Sequence, residues 1–180
     1  CCVCNEIAKV VVGDKNLDCA IARLKPDVKF APKIRRIKKN DGSVELTGVI
    51  AGSGTAVANE EVWKVGARTG LTRGTLAQIA PHLEIHPLAP FTKIADHGDS
   101  GSVVVSRNTS NVVGLLWAID KEGGPLGLAK PIGPVLAVLG ITIIPTDLSQ
   151  AYDVADWDED RLGVTRPPSP EAVFAAIAAF

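Results

Sequence analysis

Apolar residues along this 180-residue chain fall in short runs of valine, isoleucine and leucine, separated by glycine, proline, asparagine and aspartate. Short β-branched runs bounded by turn residues read as strands rather than helices, whose apolar positions recur at helical spacing over longer stretches. The pattern predicts strands over residues 7–12, 19–24, 43–51, 61–65, 74–79, 101–106, 112–118 and 126–131. Asn40-Asp41-Gly42 is a turn signal ahead of the third. The segment around His82 and His86 is bounded by prolines and reads as a surface loop.

Two segments carry helical signals. Over 132–139, Pro134 sits in the opening turn and Gly140 follows as a stop. Over 169–180, Ser169 is a potential N-cap, Pro170 and Glu171 occupy the first turn, and Val173, Phe174, Ile177 and Phe180 share one helical face. Between them, residues 146–168 hold six acidic side chains and a Pro-Pro pair, a linker composition. The expected organisation is one domain over 1–145, a linker over 146–168 and a short C-terminal helix over 169–180, with an all-β body.

With 46% hydrophobic residues the chain has enough apolar surface for a core, and 19 basic against 20 acidic residues give no global field towards nucleic acid or an anionic membrane. The basic cluster from Lys33 to Lys39 has no aromatic side chains interleaved for base stacking and reads as a solvated surface. No apolar run reaches the roughly 18 residues a membrane-spanning helix needs. Neither nucleic acid nor membrane is therefore an expected partner. Cys1, Cys2, Cys4 and Cys19 are the only cysteines, so no disulfide framework holds the main body, which leans towards an intracellular setting. They lack the second ligand pair of a structural zinc site, and no metal or cofactor is expected. Asn108-Thr109-Ser110 fits the glycosylation triplet, a pattern common by chance. A chain without methionine is expected to be preceded by further sequence.

The chemistry is concentrated in His97-Gly98-Asp99-Ser100-Gly101-Ser102, which runs directly into Val103-Val104-Val105. A nucleophilic serine needs its hydroxyl exposed on a tight turn, with backbone N–H groups converging beside it, and flanking glycines permit the positive φ this requires. A polar turn between two strands would use the same four residues. The segment resembles the G-D-S-G-G signature of trypsin-like serine proteases, with Ser102 at the last position. Two further stretches are similar to that family. Leu17-Asp18-Cys19-Ala20-Ile21-Ala22-Arg23-Leu24 resembles its Asp-x-Ala-Ile-Ala-x-Leu strand, and residues 61–76 resemble a V-x-K-x-G-R-T-T-G-L-T hairpin of its bacterial and fungal members, departing at Ala67.

The resemblance spans about Leu17 to Ile144 and implies a chymotrypsin-like double β-barrel, with the second barrel complete and the first only partial. It also implies a serine endopeptidase acting on peptide or protein substrates. By resemblance Ser100 is the nucleophile, Asp18 the aspartate that orients the histidine, the N–H groups of Gly98 and Ser100 the oxyanion hole, and Asp99 a structural carboxylate. Ile94, six residues before Ser100, takes the floor position of the specificity pocket, walled by Trp117, Ala118 and Ile119. With no carboxylate at the floor, an apolar or small residue is the expected preference, which Asp96 or Asp120 could overturn. In the family the histidine precedes the aspartate, and nothing before Asp18 is a histidine. His82, His86 and His97 all follow it. The base is then expected from a preceding segment or from a separate N-terminal chain, and the 180 residues alone are expected to be nearly inert. Two other functions stay open: a peptide- or protein-binding pseudoprotease, and an adaptor that docks through its tail.

Overall fold

The computed structural model describes residues 7–25, 50–120 and 124–145 in full, and the backbone of 37–38, 44–45 and 176–178. Its strands in chain order are β1 (Ala8–Asp14), β2 (Cys19–Leu24), β3 (Ile37–Lys38), β4 (Val44–Glu45), β5 (Gly52–Ser53) and β6 (Glu61–Gly66). These are followed by β7 (Gly70–Gln78), β8 (Leu83–Pro87), β9 (Val103–Ser106), β10 (Asn111–Ile119), β11 (Gly127–Pro131) and β12 (Ala176–Ala178), with helix α1 (Ile132–Leu139) after β11. The metal-site and basic-cluster readings at Cys1, Cys2, Cys4 and 33–39, and the linker 146–168, lie outside the fully described residues.

Six strands close an antiparallel barrel in the order β11-β8-β7-β6-β9-β10, with β10 returning to β11, and β5 adds in parallel to β10. Closure leaves no free edge in that ring, which is how an all-β core avoids unpaired backbone polar groups. Strand β8, read as a loop, is an integral stave between β7 and β11. Its apolar pattern is only Leu83 and Ile85 between prolines, too short to read as a strand, and pairing on both edges supplies what the pattern lacks. The expected strand over 43–51 is extended at Val44–Glu45, not at Ile50 or Ala51, and is outside the described residues at 43 and over 46–49.

The core has two layers separated by the barrel wall. Val62, Leu76, Leu83, Ile85, Ile94 and Leu116 fill the barrel. On the outside of β9 and β10, Val105, Val112 and Leu115 pack with Cys19 and Ile21 of β2 and with Ile132, Val135, Leu136 and Leu139 of α1. Strand β10 is accordingly buried without interruption from Val112 to Leu116, the pattern of a strand covered on both faces. The helix stops where expected: Gly140 has φ +64°, and its N–H and that of Ile141 bond the carbonyls of Ala137 and Leu136.

Outside the barrel, β1, β2 and β12 form a three-stranded antiparallel sheet with β2 in the centre. Over Ala176–Ala178 the chain is therefore extended, in place of the expected helix, with Ala176 opposite Ala22 and Ala178 opposite Ala20. The edge of β2 left open by β1 offers unpaired N–H and C=O groups, and a short tail gains more from pairing there than from an isolated helical turn. The other residues of 169–180 lie outside the described residues. Among the described residues β1 pairs on one edge only, and Val10, Val11 and Val12 are 44–56% exposed. Leu115→Ala is expected to cost about 2–5 kcal/mol, whereas Val11→Thr should stay within about 0.5 kcal/mol, as measured by urea denaturation.

Candidate active site

Between Ile94 and β9 the chain makes a tight double turn. Ile94 anchors its start: the N–H donates to Pro125 O at 2.9 Å and the carbonyl accepts from Thr72 Oγ1 at 2.7 Å. Its side chain is 1% exposed and fills space left by Gly74 and Gly127, where a Cβ would overlap it. Ile94 is thus spent on barrel packing. At the far end Gly101 N–H donates to Leu116 O at 2.8 Å, and Leu116 N–H to Ser102 O at 2.9 Å, which sews the turn onto β10.

Between those anchors, Gly98 has φ +99° and Gly101 φ +89°. A Cβ on Gly98 would meet nothing within 4 Å, so its glycine is required by the backbone conformation and not by crowding. The consequence is that Ser100 stands exposed, with its hydroxyl donating to Trp117 O at 3.2 Å. The N–H groups of Gly98 and Ser100 take part in none of the hydrogen bonds seen among the described residues. The exposed hydroxyl and the two uncommitted N–H groups thus share one turn.

Asp99 points the opposite way and is buried. Its Oδ1 accepts the N–H of Arg68 at 2.7 Å and of Thr69 at 3.2 Å. Its Oδ2 accepts the Thr69 hydroxyl at 2.6 Å, the Lys64 ammonium at 2.9 Å and the N–H of Asp96 at 3.1 Å. The ammonium of Lys64 also donates to Thr69 Oγ1 and to Gly70 O, so its three protons are all placed. Burial opposes ionisation of Asp99. The hydrogen bonds from Thr69, Lys64 and Arg68 and the Lys64 charge outweigh it, holding the carboxyl well below the usual carboxylate range. Gly66 completes the cradle, since a Cβ there would overlap the Asp99 carboxylate.

The resemblance of the 61–76 hairpin gives Lys64 no role of its own. A signal was present: Lys64 follows Val62 at strand spacing on the inward face of β6, where an unpaired charge has no place.

Asp18 ends the turn between β1 and β2 with φ +50°, a conformation aspartate tolerates. That turn is stapled by Leu17 N–H to Asp14 Oδ1 at 2.8 Å. Three contacts connect it with the serine. Lys130 Nζ donates to Asn16 O at 3.2 Å and lies 4.9 Å from the centre of the Trp117 ring, and the Trp117 carbonyl receives the Ser100 hydroxyl. Cys19, next to Asp18, is buried, and burial followed by the Asp14 charge pushes its thiol up, so it serves as packing and not as a reactive group. Trp117, Ala118 and Ile119 are half-buried in a row on β10, with Ile119 against the barrel core. His97 is exposed on the turn, and His86 is occupied at 2.6 Å by Glu84 on β8. Neither is the partner of the Ser100 hydroxyl.

Solved structures share this architecture. A glutamic acid-specific serine protease, described as using a histidine triad in substrate binding, matches with a TM-score of 0.57 at 16% identity over 77% of this chain and 74% of that one. Cellulomonas bogoriensis chymotrypsin matches with 0.57 at 16% over 79% and 78%. Thermobifida fusca protease A matches with 0.51 at 19% over 70% and 67%. No protein-family model and no curated protein matches the chain. At these identities the fold is what is shared: the chain has an all-β, chymotrypsin-like fold, with one barrel closed among the described residues.

The buried pair sets two measurable outcomes. Lys64→Met and Asp99→Asn should each destabilise the chain by about 3–5 kcal/mol, because each strands a buried group, and the double variant should cost less than the sum. Since the folded carboxyl of Asp99 lies below its unfolded value of about 3.9, its contribution is complete above that pH and is lost as pH falls towards the folded value. In denaturant titrations across acid pH, the stability gap between the wild type and Asp99→Asn should be constant near neutrality and narrow below about pH 4.

Proposed function

We propose that this chain forms the Asp- and Ser-bearing part of a serine endopeptidase. The observation that carries the reading is the turn itself: an exposed Ser100 hydroxyl beside two uncommitted N–H groups, on a loop whose Asp99 is clamped into the barrel wall. In the reaction, the Ser100 hydroxyl leaves Trp117 O and gives its proton to a histidine supplied by a preceding segment or a separate N-terminal chain. Ser100 Oγ bonds to the peptide carbonyl carbon, and the resulting oxyanion is received by the N–H groups of Gly98 and Ser100. The histidine then protonates the leaving amine, the C–N bond breaks, and water hydrolyses the ester on Ser100. Asp18 holds the histidine's tautomer, which the contacts through Lys130 and Trp117 support by tying its turn to the serine. Trp117, Ala118 and Ile119 form the wall for the side chain before the scissile bond. That wall is apolar and suits an apolar or small side chain, while Ile94 packs into the barrel core.

One observation favours a second reading, a binding module that does not cleave: the Ser100 hydroxyl is donated to a backbone carbonyl instead of a base. A fluorophosphonate probe separates the two. The 180-residue chain should label at no more than a trace, while the chain joined to its natural upstream coding sequence should label at Ser100, and Ser100→Ala should remove both labelling and about a thousandfold or more of peptide turnover. An extended chain that stays unlabelled yet binds peptide would establish the binding module instead.

A further inference from the structure

A recess of about 420 Å³ opens beside the serine turn, on the side where Asp99 is held. Its walls come from two segments far apart in sequence: Arg68, Thr69 and Thr72 from the β6–β7 hairpin, and Pro90 to Lys93 with Asp96 from the stretch that leads into the turn. Lys93 is already neutralised, with its ammonium 2.5 Å from the Asp96 carboxylate, which also accepts the His97 N–H at 2.8 Å. Arg68 is different. Its backbone N–H serves Asp99, but its exposed guanidinium makes no ion pair or hydrogen bond among the described residues. With Arg68, Lys93 and Asp96 in its walls the recess is net positive; the Arg68 charge also acts on the Asp96 carboxylate, and its planar guanidinium is the group suited to bidentate capture of a further carboxylate.

We propose that this recess is a binding site for an acidic side chain of a polypeptide, with Arg68 taking the carboxylate and Pro90 and Phe91 covering an adjacent apolar residue. The volume lies near the lower end of the roughly 300–1,000 Å³ of ligand pockets, and a lone inorganic anion would leave the Pro90 and Phe91 walls unused. The position gives the site a consequence. Arg68, Thr69 and Asp96, which line it, are three of the residues whose donors hold the Asp99 carboxylate, and Ser100 is the next residue in the chain. An occupant that braces them braces the turn bearing the serine.

Binding needs no turnover, so the test is independent of whether Ser100 acts as a nucleophile. The ¹⁵N-labelled chain is titrated with end-blocked Ala-Phe-Glu-Ala, with Ala-Phe-Gln-Ala, and with inorganic phosphate alone. The glutamate peptide should shift the amides of Arg68, Thr69 and Asp96. Its affinity should fall by about tenfold or more with the glutamine peptide and with Arg68→Gln, the worth of a charged hydrogen bond. Arg68→Gln keeps the backbone N–H to Asp99, and an unchanged amide spectrum elsewhere would show that it folds. Arg107→Gln, which lies outside the recess and is paired with Glu61, should leave affinity within about twofold. Equal affinity for the two peptides, unaltered binding in folded Arg68→Gln, or phosphate binding as tightly as the glutamate peptide at the same amides would each overturn the proposal.

Discussion

A carboxylate set into the wall of an apolar barrel is the constraint to which the site answers. Asp99 is ionised and buried, and a bare charge in that position would cost several kcal/mol. Every neighbour is chosen accordingly: Lys64 turned inward from β6, Thr69 supplying both a hydroxyl and an N–H, Arg68 and Asp96 supplying N–H groups, and Gly66 supplying no side chain at all. The net gain in stability from such a pair is small, because desolvation consumes most of the attraction. Its effect is geometric: a carboxylate that needs five donors in fixed places has one position, and the residue that follows it in the chain inherits that position.

Rigidity is unevenly distributed around this clamp. The barrel has no free edge and is filled by one core, while β10 is buried on both faces. Among the described residues the sheet of β1, β2 and β12 has no partner beyond β1 and carries three exposed valines, and it joins the barrel through the outer core around Cys19, Ile21 and α1. Segments with few buried contacts and exposed backbone bonds open most readily. Ser100 is therefore carried by the stiff part of the molecule, and Asp18 by the less braced part, moored through Lys130 to Trp117.

The candidate chemistry follows from that division. Positive φ at Gly98 frees two N–H groups, and the clamp holds them in place without needing them as structural bonds. The Ser100 hydroxyl rests on the Trp117 carbonyl. A preorganised donor pair is most effective where the backbone carrying it cannot relax around the developing charge.

Much of this was legible along the chain, because strand alternation, a glycine-stopped helix and a glycine-bracketed serine are local signals that act between near neighbours. The barrel strands around Val62, Val104 and Val113, the helix over Ile132–Leu139 and the exposure of Ser100 all follow from such spacing. The tertiary structure alone decided the rest. Lys64 and Asp99 are 35 residues apart and meet only because β6 closes on β9. β8 is a strand because two neighbours pair with it, Ala176–Ala178 is extended because β2 offered an edge, and Arg68 faces Lys93 and Asp96 because two distant segments border one recess. Local propensity cannot encode these outcomes, since each depends on which partner barrel closure brings within hydrogen-bonding reach.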